Sequence, residues 1–274
     1  MRIEKAILVF WKDWREIRRN WQVILPIVIV PLMISVVLPI LLTVISGLAV
    51  TEGESFSEFL PLIENLPNNI QIQFAGFTDQ QVMIYVMAVY FFAPFFLIIP
   101  LMASSVIASD SFAGEKERRT IEALLATPIS DGELFFGKML VSFIPSMLIT
   151  VVSFMVYTIV FDVVAFSLFN GMLLLPNLDW ILMIFGLAPT LALTSIGLTV
   201  MISVRVKGFR EAQQISVVLL IPILALVFGQ VTGAIIFGPG VILALIGLFV
   251  VIDFVVFRLG LRLFKREEIL SKLV

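Results

Sequence analysis

Hydrophobic positions run through this chain in two patterns. Six long apolar segments, roughly 23–49, 82–107, 139–162, 180–203, 214–237 and 240–260, carry few charges. Each satisfies the need for about 20 mostly apolar residues, at 1.5 Å apiece, in a helix that crosses a bilayer. Ahead of them, Ile3, Ile7, Phe10, Trp14, Ile17 and Trp21 recur at intervals of three and four. That period places them on one helix face, with Lys5, Lys12, Arg15 and Arg19 off it. A basic amphipathic helix with Trp on its apolar side lies in the membrane interface, here over residues 1–22. It reads either as a lever packed against the bundle or as an anchor before the first span. The first apolar run is too long, and too charged at its approach, for a cleaved signal peptide, and is expected to stay as a signal anchor.

Charge orients these segments. The N-terminal stretch holds six Lys and Arg, segment 108–138 four, segment 204–213 three and the C-terminal end five, which accounts for all 18. The segments on the opposite side have none, and the first of them (50–81) carries Glu52, Glu54, Glu58, Glu64 and Asp79. The positive-inside rule then puts both termini in the cytoplasm. Losing one span from the count would scramble this division. The acidic segment 50–81, with a short helix expected near Phe56–Glu64, is either a solvated connector or a substrate-recognition element.

Composition narrows the chemistry. With 60% apolar and 14% charged residues the chain departs from a soluble domain, in which about 25% are charged. It has no cysteine and no histidine, hence neither thiolate chemistry nor the commonest general base and metal ligand. One membrane domain over 1–274 is expected, with no catalytic residue and no metal or cofactor of its own.

One motif tests that expectation. Gly132–Met139, "GELFFGKM", comes close to a phosphate-binding loop, but Met139 replaces the required Ser or Thr and no strand precedes it. Ser130 and Glu133 instead form the capping box that starts a helix, so Gly132 falls in a first helical turn and Lys138 at the edge of the third span. In the preceding loop, Glu115–Ala126 reads as a helix. Glu115 and Glu117 lie at its start, Glu115 and Arg119 are an i,i+4 pair, and Pro128 stops it. Its apolar patch of Ile121, Leu124 and Leu125 packs either on a partner or on the chain's own bundle.

The run "GEKERRTIEALLATPISDGELFFGK" resembles the signature of type-2 ABC transporter permeases, G-E-K-E-R-G-T-x-E-x-L-L-x-x-P-x-S followed by G-K. Gly114 to Arg118, Thr120, Glu122, Leu124, Leu125, Pro128, Ser130, Gly137 and Lys138 fall on it, and Arg119 takes the place of the usual Gly. Ser203–Gln214, "SVRVKGFREAQQ", is similar to the S-x-x-x-K-x-x-x-E-A-Q-Q segment of these permeases, with Lys207, Arg210 and Glu211 in this second loop. The resemblance implies an all-α fold with a cytoplasmic coupling helix. It also implies the membrane-spanning subunit of an exporter in the plasma membrane, paired with a second permease copy as homo- or heterodimer. Two copies of a separate ABC ATPase subunit would carry ATP and Mg. They would dock through Glu115, Glu117, Arg118, Ile121, Glu122, Leu124, Leu125 and Pro128. The alternative is an ion-coupled secondary transporter or channel using Asp253, the clearest intramembrane ionisable residue. That residue either pairs with a Lys or Arg near the inner surface or lines the pathway. No nucleic-acid partner is implied.

Overall fold

The computed structural model describes residues 3–51, 74, 76–120, 127–231 and 238–263. Within them an amphipathic helix, α1 (Ile3–Ile17), precedes the membrane-crossing helices. Six helices are long and apolar enough to span: α2 (Trp21–Ser46), α3 (Asp79–Glu117), α4 (Asp131–Ala165), α5 (Leu178–Ser203), α6 (Phe209–Gln230) and α7 (Pro239–Gly260). No strand occurs among the described residues. The fold is all-α, and each expected segment falls on an observed helix that begins a little earlier in the chain.

Polar caps explain where these helices begin. The Asn20 carboxamide accepts from Gln22 N at 3.1 Å to open α2, and Asn177 accepts from Trp180 N at 3.0 Å to open α5. Thr78 with Gln81, and Ser130 with Glu133, form reciprocal capping boxes for α3 and α4. Gly132 therefore sits in the first turn of α4, and Gly132–Met139 is helical rather than a phosphate loop.

Helices α3 and α5 form the centre. Of their most apolar windows 56% and 61% is buried, against 22% and 17% for α6 and α7 at the periphery. The core stacks aromatic rings from three helices. Trp180 lies parallel to Tyr157 at 5.0 Å and to Phe154 at 5.6 Å, and Phe96 meets Trp180 edge-on at 5.3 Å. This stack also repairs backbone. α3 relaxes into a π-turn over Val86–Phe91, and Pro94 has no N–H for the Tyr90 carbonyl one turn back. The Tyr157 hydroxyl donates to Ala88 O and the Trp180 indole to Val89 O, each at 2.8 Å, while Gln230 Nε2 donates to Tyr90 O at 3.1 Å. Irregular backbone at membrane depth persists only where such partners exist.

Two helices outrun the membrane. At 39 and 35 residues, α3 and α4 would be about 58 and 52 Å long, against about 30 Å of hydrocarbon. Their excess carries charge at the basic end of the bundle, Asp110–Glu117 on α3 and Asp131–Lys138 on α4.

The structure corrects two expectations. The helix read over Glu115–Ala126 does not begin at Glu115: Glu115–Glu117 is the last turn of α3, and the chain breaks at Arg119, whose φ is +58°. Glu115 pairs there with Lys12 and Lys138, not with Arg119. The face that α1 buries is also different. Ala6, Val9, Asp13 and Ile17 face the bundle. Of the bulky stripe, Ile3, Ile7 and Trp21 are exposed, and Phe10 and Trp14 are half-buried at the boundary. Close approach decides the outcome: a Cβ on Gly137 of α4 would lie 2.7 Å from Ala6 O and 2.8 Å from Val9 Cβ. Only glycine fits at position 137 of that crossing. The short helix expected near Phe56–Glu64 lies outside the described residues.

Candidate functional site

The crossing of α1 with α4 carries charge into the protein. Lys138 follows Gly137 and is fully buried, with 0% of its surface exposed. Its ammonium donates to Glu115 Oε2 at 2.6 Å, to Asp13 Oδ2 and Ser111 Oγ at 3.2 Å each, and to the Ser111 carbonyl. The Ser111 hydroxyl donates to Asp13 Oδ2 at 2.7 Å. The Phe112 ring centre lies 5.4 Å from the ammonium, close enough for a cation–π contact. One lysine on α4 thus joins α1, through Asp13, to the end of α3, through Ser111 and Glu115.

Lys12 closes the cluster on its outer side. It pairs with Glu115, with Asp13 Oδ1 at 3.2 Å and with Glu16 Oε1 at 3.3 Å. These three carboxylates lie within reach of one metal ion, but the Lys12 ammonium touches all three and occupies the cation's place. Burial alone pushes the Asp13 carboxyl up; the Lys138 and Lys12 ammoniums and the Ser111 hydroxyl outweigh it and hold the group below its ordinary value. Burial pulls Lys12 down, yet Asp13, Glu115 and Glu16 together raise it. The charged forms stabilise each other.

The rest of the Glu115–Arg118 run is tied as firmly. Lys116 Nζ donates to Val206 O at 2.9 Å, and Glu117 Oε2 accepts from Phe209 N at 2.9 Å. The first reaches the loop between α5 and α6, the second the opening residue of α6. A Cβ on Gly208 would sit 2.5 Å from Glu117 Oε2, so a larger residue there would push the Glu117 carboxylate aside. Arg118 Nη1 meets Asp110 Oδ1 at 3.1 Å, and Asn20 Nδ2 donates to the same oxygen at 3.1 Å. Lys5, near the start of α1, donates to the Pro128 carbonyl at the far end of the loop.

Of the residues expected at a partner surface, Glu115 is turned inward with 1% of its surface exposed. Glu117 and Arg118 are exposed but bonded within the chain, as is Pro128 through its carbonyl. Ile121, Glu122, Leu124 and Leu125 lie outside the described residues. In the second loop Glu211 Oε2 accepts from Lys207 N at 2.8 Å, and Arg210 is exposed. Asp253 is elsewhere: among the described residues it pairs with no Lys or Arg, and Thr194 Oγ1 on α5 donates to its Oδ1 at 2.5 Å.

Sequence reading misses Lys12, Asp13, Ser111 and Asp110 as site residues. Asp13 had a signal, since it interrupts the helical stripe Ala6–Val9–Ile17 with a charge. A hydrophobic pattern discards that signal.

No curated protein matches the chain. A family described as ABC-2 family transporter protein matches residues 7–239, from the second turn of the helix that bears Lys12 and Asp13 to the start of the last span. With six spanning helices and a match over most of its length, the chain belongs to the ABC-2 transporter family, a permease of multi-pass membrane architecture.

Proposed function

We propose that this permease is the membrane-spanning subunit of an ATP-driven exporter, worked by two copies of a separate ABC ATPase that bear on the loop between Arg118 and Ser130. The observation that carries the reading is the anchoring of that loop. Its first end is fixed to α1, α4 and the α5–α6 loop through Glu115, Lys116 and Glu117, and its second to α1 through Pro128. A push on the loop would reach α1 and four of the spanning helices together. In this reading Glu115, Glu117 and Arg118 brace the loop from within, and Ile121, Glu122, Leu124 and Leu125 supply the contact.

The division of Lys and Arg supports cytoplasmic termini, and an exporter of this kind would work in the plasma membrane. ATP and Mg would belong to the partner. The peripheral α6 and α7, which expose Phe228, Leu248, Val251 and Phe254, leave apolar surface for lipid and for a second permease copy, identical or related. Asp253 joins α7 to α5 through Thr194, which serves helix packing and does not favour the ion-coupled alternative.

The test is retention of an ABC ATPase by the tagged full-length permease, purified from its own host and identified by its Walker A peptide. Burying a charge against apolar neighbours costs several kcal/mol, and each 1.4 kcal/mol is about tenfold in affinity. Leu125→Asp should therefore lose the ATPase while the permease still inserts. Undiminished retention, or no ABC ATPase on the wild type, would overturn the reading.

A further inference from the structure

At the C-terminal end of α1 the basic residues behave differently from those in the cluster. Lys5 and Lys12 on the same helix are engaged within the chain. Arg15, in the last turn of α1, and Arg18 and Arg19, just after it, meet no carboxylate of the described residues within 4.0 Å. Among the described residues these three line an open cleft of about 440 Å³. Three guanidiniums that meet no carboxylate among the described residues, around one space, make a site for an anion, and their planar forks match the oxygens of a phosphate.

The surroundings identify where that phosphate comes from. Arg19 precedes Trp21, the first residue of α2, by two positions, so at 1.5 Å per residue the cleft lies within about one helical turn of the membrane-crossing segment. Exposed indoles lie near the three arginines in the chain. Trp11, 51% exposed, precedes Arg15 by one turn on the same side of α1, and Trp21 is 74% exposed. The Arg18 guanidinium lies 5.8 Å from the Trp14 ring centre. Indoles of this kind settle at the level of lipid headgroups.

We infer that Arg15, Arg18 and Arg19 form a binding site for the phosphate of an anionic phospholipid headgroup. A lipid held there would fix the position of α1, the helix whose Asp13 and Lys12 hold the end of α3. The inference needs only the membrane-spanning architecture and not the ATPase, so its test stands apart from the proposed function.

Tryptophan emission reports on the site directly. The chain has four tryptophans, and Trp180 is buried in the aromatic core, leaving Trp11, Trp14 and Trp21 close in the chain to the three arginines. The full-length permease in neutral detergent micelles would be titrated with phosphatidylglycerol, phosphatidylcholine and soluble glycerol 3-phosphate. Each basic residue beside an anionic surface contributes about fivefold in affinity, and three contribute on the order of 100-fold. Phosphatidylglycerol should saturate the emission change at a midpoint about 100-fold below phosphatidylcholine. The combined Arg15→Gln, Arg18→Gln, Arg19→Gln variant should lose that preference, whereas Arg258→Gln, at the far end of α7, should keep it. If the triple variant fails to fold, Arg18→Gln alone, about fivefold weaker, decides. Equal midpoints for the two lipids, an unchanged triple or single variant, or an equal loss in Arg258→Gln would overturn the site. Competition by glycerol 3-phosphate at the same concentration as the lipid would reassign it to a soluble phosphate and overturn the lipid source.

Discussion

The Lys138 ammonium lies 3.2 Å from the Asp13 carboxylate, 125 residues away in the chain, and both side chains are shut off from solvent. Burying either charge alone would be strongly unfavourable, so the pair persists because Ser111, Glu115 and Lys12 satisfy what remains. Removing one partner of a buried pair costs about 3–5 kcal/mol. Lys138→Met should therefore lower the unfolding free energy of the permease by that amount, read by thermal or denaturant unfolding in detergent. Adding Glu115→Gln to it should cost less than in the wild-type background, because the carboxylate it neutralises has already lost its Lys138 partner and keeps only Lys12. Strictly additive losses would show that the two residues do not share an interaction.

The same cluster sets a pH window. The folded Asp13 carboxyl is held below its ordinary value of 3.8, so its contribution is complete above that value and is lost as pH falls through the lower, folded one. Lys12 is raised above its ordinary 10.5, so its contribution is complete below 10.5 and is lost as pH rises through the higher, folded value. Docking of α1 should be flat between these limits and weaken on acidification below about pH 4. Emission from the α1 tryptophans would follow it. Asp13→Asn should weaken docking already at neutral pH and reduce the acid step; an acid step of unchanged size would remove Asp13 from its cause.

How far this site could be read from sequence depends on the range of the physics involved. Apolar length is local, so the six spans are legible, and so are the Ser130–Glu133 cap and the helical period of α1. The docking face of α1 is not. Hydrophobicity points to the bulky Ile3–Ile7–Trp14 stripe, whereas contact is set by Ala6 and Gly137, whose merit is small size. Nor is the charge cluster legible: Asp13 meets Ser111 across 98 residues and Lys138 across 125. Glu115 and Arg119 look paired at helical spacing, and the break after Glu117 separates them.

The aromatic stack offers a test of backbone repair. Trp180→Phe keeps most of the ring but leaves the Val89 carbonyl of the π-turn without its donor, and Tyr157→Phe does the same to Ala88. A buried acceptor left unpaired costs about 1–3 kcal/mol. Each variant should lose that much stability, and amide exchange should rise over Val86–Phe91. Variants as stable as the wild type, with unchanged exchange, would show that the π-turn does not depend on these donors.

Arg119 carries the last prediction. Its φ of +58° is the left-handed conformation that ends helices, in which a side chain costs about 1–2 kcal/mol and glycine almost nothing. Here the chain leaves α3, just after Glu115–Glu117 have been tied to α4 and to the α5–α6 loop, so it must turn sharply without disturbing those ties. The resembling permease signature carries glycine at this position, in accord with that backbone demand. Arg119→Gly should therefore raise stability by about 1 kcal/mol, whereas Arg119→Val, β-branched in the same conformation, should lower it. The two variants remove the same charge, so an electrostatic origin predicts equal shifts for both. Opposite shifts in unfolding temperature would identify the backbone turn as the cause, and equal shifts would rule it out.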